Sequence, residues 1–302
     1  MKTKNTLLVF IAYLSMIIIW STTPLAIKWS SQGLNFITGL SLRMLIGAAL
    51  ASVLSFIWYR SIPMHKCARQ VYLASASAIY GAMMLVYWGA QFIPSGLISV
   101  LFGLTPIVTT GFAFYLLNNE QLSVNKFIGA LLGIIGLIII FIEQIDLGEQ
   151  AILGIAAVLV SVLLHSISAV WIKHLNVPLP ALIVTTGGLL YSMPLFIISF
   201  VVFAEPLPEQ LPSRTLAAIV YLGIMGSVIG FVSYYFVLAK LSPSTVALAT
   251  LITPVSALFL GTWFNNESIS PSIFAGTACI MCGLIIHQFY ALLKEKIYLS
   301  NH

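Results

Sequence analysis

Thr105-Pro106 leads through an apolar run to Asn118-Asn119-Glu120, and the same order returns at Thr253-Pro254, whose apolar run ends on Asn265-Asn266-Glu267. The match extends outward from this stretch. Pro94-Ser95 pairs with Pro243-Ser244, Gly129 with Gly276, and Gly136-Leu137-Ile138-Ile139 with Gly283-Leu284-Ile285-Ile286. Ordered matches over roughly fifty residues mark an internal duplication. In a chain this apolar, a duplication points to a membrane carrier built from two related halves.

The 302 residues are 60% hydrophobic and 7% charged, whereas soluble domains carry about 25% charged residues. A soluble globule is excluded. A bilayer core of about 30 Å needs about 20 apolar residues per helix, and ten segments meet that need. They fall at 7–27, 34–58, 71–91, 95–117, 124–142, 152–172, 180–203, 215–238, 244–264 and 272–292. None shows the short alternating pattern of an outer-membrane barrel. Lys2 and Lys4 before an apolar stretch resemble a secretory signal, but the run continues past Pro24 toward Lys28 and reads better as the first span. Cys67, Cys279 and Cys282 form no even disulfide framework, and Cys279-x-x-Cys282 reads as helix packing because further metal ligands are missing.

A net charge of +5 would suggest nucleic acid if the charges clustered, but they sort by membrane side. With ten spans and an internal N-terminus, Lys2, Lys4, Arg60, Lys66, Arg69, Lys126, Lys173, Lys240, Lys294 and Lys296 share one side. Lys28 and Arg214 lie opposite, with Glu143, Asp146, Glu149, Glu205, Glu209 and Glu267. This is the positive-inside asymmetry. It places both termini in the cytoplasm, and a bacterial plasma (inner) membrane is the expected location.

Five spans per half reverse the second copy relative to the membrane, so the repeats, 1–146 and 147–302, are expected to be inverted. Inverted halves can exchange conformations around one central site, which is what alternating access requires. No Gly-rich Lys-Ser/Thr phosphate loop is present, so the chain by itself is no ATP-driven pump. A serine hydrolase would need an elbow motif that is absent. An aspartyl type would need two buried Asp, and the only Asp is Asp146.

Trp20-Ser21-Thr22-Thr23-Pro24-Leu25-Ala26-Ile27-Lys28, Arg43 and the duplicated Thr-Pro to Asn-Asn-Glu stretches resemble the EamA family of the drug/metabolite transporter superfamily over about residues 7–290. Ser21 departs from the glycine usual after the Trp. The resemblance implies a ten-helix inverted-repeat carrier, commonly exporting amino acids or other small metabolites.

Candidate site residues emerge from depth and spacing. Thr105-Pro106 and Thr253-Pro254 fall mid-span, where proline removes a backbone hydrogen bond; the carbonyls of Phe102 and Thr250 are expected to be freed and the resulting kinks to border a cavity. Tyr80, Met84, Tyr87 and Gln91 share one helical face, with Trp88 beside it; Tyr234 and Tyr235 come from span eight. Ser161, His165 and Ser168 form a polar stripe with Trp171 nearby, and His165 is either a substrate or proton group or glue between helices. Arg43, inside span two, either contacts an anion or satisfies helix-end carbonyls by snorkelling. Glu120 and Glu267 end spans and read as caps. No Asp or Glu lies mid-span, which argues against carboxylate proton coupling.

The expected fold is therefore an all-α polytopic membrane protein with ten transmembrane helices. The expected function is secondary transport of a small metabolite, an amino acid or related compound, by alternating access and in the efflux direction. Carriage of organic anions or phosphorylated metabolites, or a receptor or structural role, are the alternatives. The partners expected are a small-molecule substrate and the lipid bilayer, with no nucleic acid, no cofactor and no metal, in a monomer.

Overall fold

The computed structural model describes residues 2–117, 124–146 and 149–300. Asn118-Asn119-Glu120 lies outside the described residues. Every regular element among them is helical. Helix α1 (Lys2–Ser30) carries Pro24, and α2 (Phe36–Tyr59) begins at Asn35, whose side chain accepts the Ile37 N–H at 2.9 Å. Arg60, at φ 58°, ends α2 in the left-handed region. Helix α3 (Lys66–Gly89) contains a π-helical segment at Ser77–Ala82. A short α4 (Ser95–Phe102) and α5 (Thr105–Leu116) come next, then α6 (Val124–Asp146).

The second half repeats this order. It comprises α7 (Glu149–Leu175), α8 (Ala181–Phe203), α9 (Ser213–Lys240), α10 (Pro243–Ala247), α11 (Thr253–Asn265) and α12 (Pro271–Ser300). Helix α9 carries its own π-helical segment at Leu222–Gly230, in the same place as that of α3. The duplication thus reaches down to an irregularity of backbone winding.

Among the described residues, seven helical runs are long and apolar enough to cross a membrane: Thr6–Ser30, Phe36–Tyr59, Lys66–Gly89, Ser95–Leu116, Glu149–Leu175, Ala181–Phe203 and Ser213–Lys240. The other three expected spans fall on α6, on α10 with α11, and on α12. Helices α6 and α12 are apolar over Val124–Ile140 and Pro271–Ile286 among the described residues, and 243–265 is divided between α10, a 3-10 turn at Leu248–Leu251 and α11.

Large apolar side chains such as Phe10, Phe56, Ile197, Val201 and Phe274 are exposed, as a surface solvated by lipid requires. With no hydrophobic drive between helices in lipid, close approach of small residues takes over. Helices α6 and α12 show it. A Cβ added at Gly136 would lie 2.5 Å from the Gly276 carbonyl oxygen, and one at Gly283 would lie 2.6 Å from that of Gly129. Because Gly129 and Gly136 are the repeat partners of Gly276 and Gly283, exchanging the halves maps one contact onto the other. That reciprocity is the mark of a two-fold contact.

Candidate functional site

The two Thr-Pro pairs build the centre of the molecule. In the first half the helix stops at Phe102 and turns through Gly103-Leu104. It restarts at Thr105, so Pro106 stands in the first turn of α5. In the second half Pro254 opens α11 in the same way. Proline suits a first turn, where its missing N–H would have had no partner. The expected kinks are therefore full breaks. The freed Phe102 carbonyl is not left bare: the Thr105 hydroxyl donates to it at 2.6 Å. Threonine, with its hydroxyl one bond from the backbone, mends the turn that proline opens.

Around these breaks lies a cavity of about 80 Å³. Ser99, Phe102 and Thr105 line it from one break and Thr250 and Thr253 from the other. Trp20, Thr23, Pro24 and Ile27 come from α1, Arg43 from α2, and Met83 and Val86 from α3. His165 comes from α7, and Gly226 and Phe231 come from α9. Both halves contribute to one wall, which is mainly apolar and aromatic with a few hydroxyls and two basic side chains. That composition suits a small organic solute.

His165 is buried among rings, with centroids 5.7 Å from Trp20, 6.2 Å from Phe102 and 5.2 Å from Tyr234. The rest of its sequence stripe disperses. Ser161 is buried with no hydrogen-bond partner among the described residues. Ser168 donates to the Ala74 carbonyl at 2.6 Å and ties α7 to α3. Trp171 is 37% exposed and away from the cavity. Tyr234 stands behind Trp20 at 5.4 Å, while Tyr235 turns to Ser75, oxygen to oxygen 2.7 Å.

The face drawn through Tyr80, Met84, Tyr87 and Gln91 assumed 3.6 residues per turn throughout. The π-helical segment at Ser77–Ala82 adds a residue to one turn and rotates the rest of α3. Met83 rather than Met84 lines the cavity. Tyr80 points to α8, its hydroxyl 2.8 Å from Ser199 and its ring on Phe196. Trp88 packs on Phe92, and Gln91 bonds the Trp88 carbonyl at an exposed helix end.

Arg43 is 2% exposed and does not snorkel. Its Nε donates to the Ser227 hydroxyl at 3.0 Å, and Nη1 donates to the Tyr87 hydroxyl at 3.4 Å. Tyr87 in turn accepts from Ser30. Ser227 belongs to the π-helical segment of α9, and Gly226 before it gives the guanidinium room: a Cβ there would lie 3.0 Å from Nη2.

At one end of the molecule Asn266, at φ 52°, closes α11, and Glu267 caps the neighbouring break helix. Its carboxylate accepts the Ser95 hydroxyl at 2.9 Å and the Gly96 N–H at 3.3 Å, a favourable place for negative charge. Asn265 links this cap to Trp29, whose indole N–H it accepts at 3.1 Å.

Trp20, Thr23, Met83, Ser99, Gly226 and Phe231 were not singled out from spacing. Trp20 and Thr23 lay inside the first-span motif, and Ser99, three residues before Phe102, lay on the face leading to a predicted break; the others carried no signal.

The EamA-like transporter family matches the chain twice, at residues 7–142 and 152–287. The chain is 28% identical to "Uncharacterized transporter YoaV" of Bacillus subtilis (strain 168), over 93% of its length and 97% of that protein. It is 24% identical to "Probable terminal-alkyne amino-acid exporter" of Streptantibioticus cattleyicolor, over 89% of its length and 90% of that protein. A solved structure titled "Crystal structure of protein" superposes with a TM-score of 0.69 at 21% identity, covering 96% of this chain and 99% of that one; the likeness is one of fold. With the family matched over both halves, the chain belongs to the EamA-like transporter family, and it is an integral membrane transporter, not an enzyme.

Proposed function

We propose that this protein is a secondary carrier of a small metabolite, an amino acid or related compound, working by alternating access in the efflux direction. The carrying observation is the cavity walled by both broken helices, by Thr105 from one half and Thr253 from the other, each beside the proline that opens its helix. Broken helices at the boundary between repeats are where carriers hold substrate, because their unwound backbone can face only protein or a solute. In this reading the chain has ten spans in two inverted five-helix repeats, 1–146 and 147–302, with α10 and α11 as one interrupted span. It sits as a monomer in a bacterial plasma membrane with both termini cytoplasmic.

His165, with Trp20 and Tyr234 behind it, forms the aromatic wall against the substrate, and Arg43 supplies the one fixed charge of the α2 side. Tyr80, Ser168 and Tyr235 act at one remove, through their bonds to Ser199, Ala74 and Ser75. The amino-acid reading draws support from the relative whose name describes an amino-acid exporter, and from a cavity with too little positive charge to clamp a phosphate, which calls for converging Lys and Arg.

The test is counterflow in proteoliposomes preloaded with amino acids, organic acids or sugar phosphates. Uptake of labelled amino acid into amino-acid-loaded vesicles is the expected result. Exchange confined to sugar phosphates would overturn the substrate class, and no exchange with any of the three would overturn the carrier reading.

A further inference from the structure

Arg43 carries a positive charge that no carboxylate balances among the described residues. It is buried against the cavity, and its partners among the described residues are the neutral hydroxyls of Ser227 and Tyr87 and the face of the Tyr87 ring, whose centroid is 5.8 Å from the guanidinium carbon. None of the seven acidic residues at described positions stands in the central part of a helix. Glu143 and Asp146 end α6, Glu149 begins α7, Glu205, Glu209 and Glu267 come after α8 and α11, and Glu295 is in the last turns of α12. Glu120 lies outside the described residues, past the end of α5.

Hydroxyls orient a guanidinium without neutralising it, and arginine cannot relieve the cost by losing its proton. A cation left in a low-dielectric site with dipolar partners alone is expensive and correspondingly receptive to an anion. The geometry leaves an approach for one. Nε is occupied by Ser227 and Nη1 by Tyr87, while Nη2, packed over Gly226, has no hydrogen-bond partner among the described residues. Both Arg43 and Gly226 line the cavity.

We propose that Arg43 is the anchor for a carboxylate of the transported substrate, which makes the substrate class small organic acids, amino acids included, whose uncharged part packs against Trp20, Phe102 and Phe231. This rests on the cavity being the substrate site. The lining contains no carboxylate, so an ammonium group meets only hydroxyls and ring faces. The carboxylate is therefore the required group and the amine an accessory one. A phosphate monoester, with more charge and more acceptor oxygens, finds a single guanidinium where it needs several donors.

The experiment measures binding to the purified full chain by thermal shift and calorimetry, with L-valine, 3-methylbutanoate, L-valinamide and inorganic phosphate as probes. L-Valine and 3-methylbutanoate should both bind and raise the melting temperature, while L-valinamide, identical in shape but without the negative charge, should not. Arg43→Lys should weaken the binding of both acids about tenfold, since a point charge replaces a planar fork, and Arg43→Gln should abolish it. If the Gln variant does not fold, the Lys variant and the probe series decide. Equal binding of L-valine and L-valinamide, stronger binding of phosphate, no binding by any probe, or unaltered affinity in Arg43→Lys would each overturn the assignment. Acids that bind but show no counterflow in the same preparation would leave the Arg43 site standing and remove the carrier reading instead.

Discussion

Lys28 and Lys173 make the same contact at opposite ends of the molecule. Lys28 Nζ donates to the carbonyls of Ala90 and Ile93 at 2.9 and 3.0 Å, and Lys173 Nζ donates to those of Leu238 and Leu241 at 3.0 and 3.0 Å. Each lysine ends the first helix of its half, and each closes the C-terminus of that half's third helix. Their separation is set by α1. The Tyr13 hydroxyl bonds the Thr245 carbonyl, just beyond Leu241, whereas Trp29, beside Lys28, bonds Asn265. A cation on the last carbonyls of a helix is well placed against the helix dipole.

Lys28→Met and Lys173→Met are each expected to cost about 1–3 kcal/mol, the range for stranding groups bonded to a charge. Thermal unfolding of the purified variants in detergent measures this. Because the two ties sit at opposite ends, their loss should also bias the carrier in opposite directions, read as opposite changes in thiol accessibility of a reporter cysteine at position 83. The same direction of change in both variants would refute equivalent roles.

Pro106→Ala and Pro254→Ala should keep expression and slow transport several-fold. An alanine N–H at either position can bond the residue 102 or 250 carbonyl and let the helix run through its break, replacing at the first break the bond that the Thr105 hydroxyl now makes to Phe102. Flux in proteoliposomes is the measurement. Unchanged flux in both variants would reduce the prolines to packing features.

Gly136→Leu should destabilise the protein by about 1–3 kcal/mol, the usual cost of overpacking, because its Cβ would press on the Gly276 carbonyl. Gly276→Leu, on the other side of the same contact, should do the same, because its Cβ would lie 2.6 Å from the Gly136 carbonyl oxygen. The double variant should cost less than the sum, since neighbours in contact do not add. Denaturation midpoints of the three variants test it, and strict additivity would count against a shared contact.

Cys67, exposed at the start of α3 beside Lys66 and Arg69, tests orientation. On the positive-inside rule it faces the cytoplasm, so a membrane-impermeant maleimide should leave it unlabelled in intact cells and label it after permeabilisation. Single-cysteine variants lacking Cys279 and Cys282 make the readout specific. Efficient labelling of intact cells would invert the topology.

Much of the architecture was legible in one dimension because its causes are local. Apolar run length is set by the bilayer, Pro106 and Pro254 mark the breaks by their missing N–H, and a duplicated chain repeats its pattern of residues. Even the close approach of α6 and α12 could be anticipated from Gly129, Gly136, Gly276 and Gly283, since only small residues permit it. What the tertiary structure alone decided is which side chains meet. Met83 rather than Met84 lines the cavity, in a helix whose π-helical segment is invisible in apolar periodicity. Tyr80 and Tyr235, on faces that looked equally inward, turn instead to Ser199 and Ser75. Arg43 finds Ser227 from 184 residues away, in a segment that carried no polar signal. Sequence pattern records how each helix solves its own problem with lipid and backbone, whereas a cavity is made where helices cross, and the angle and register of a crossing belong to no single helix.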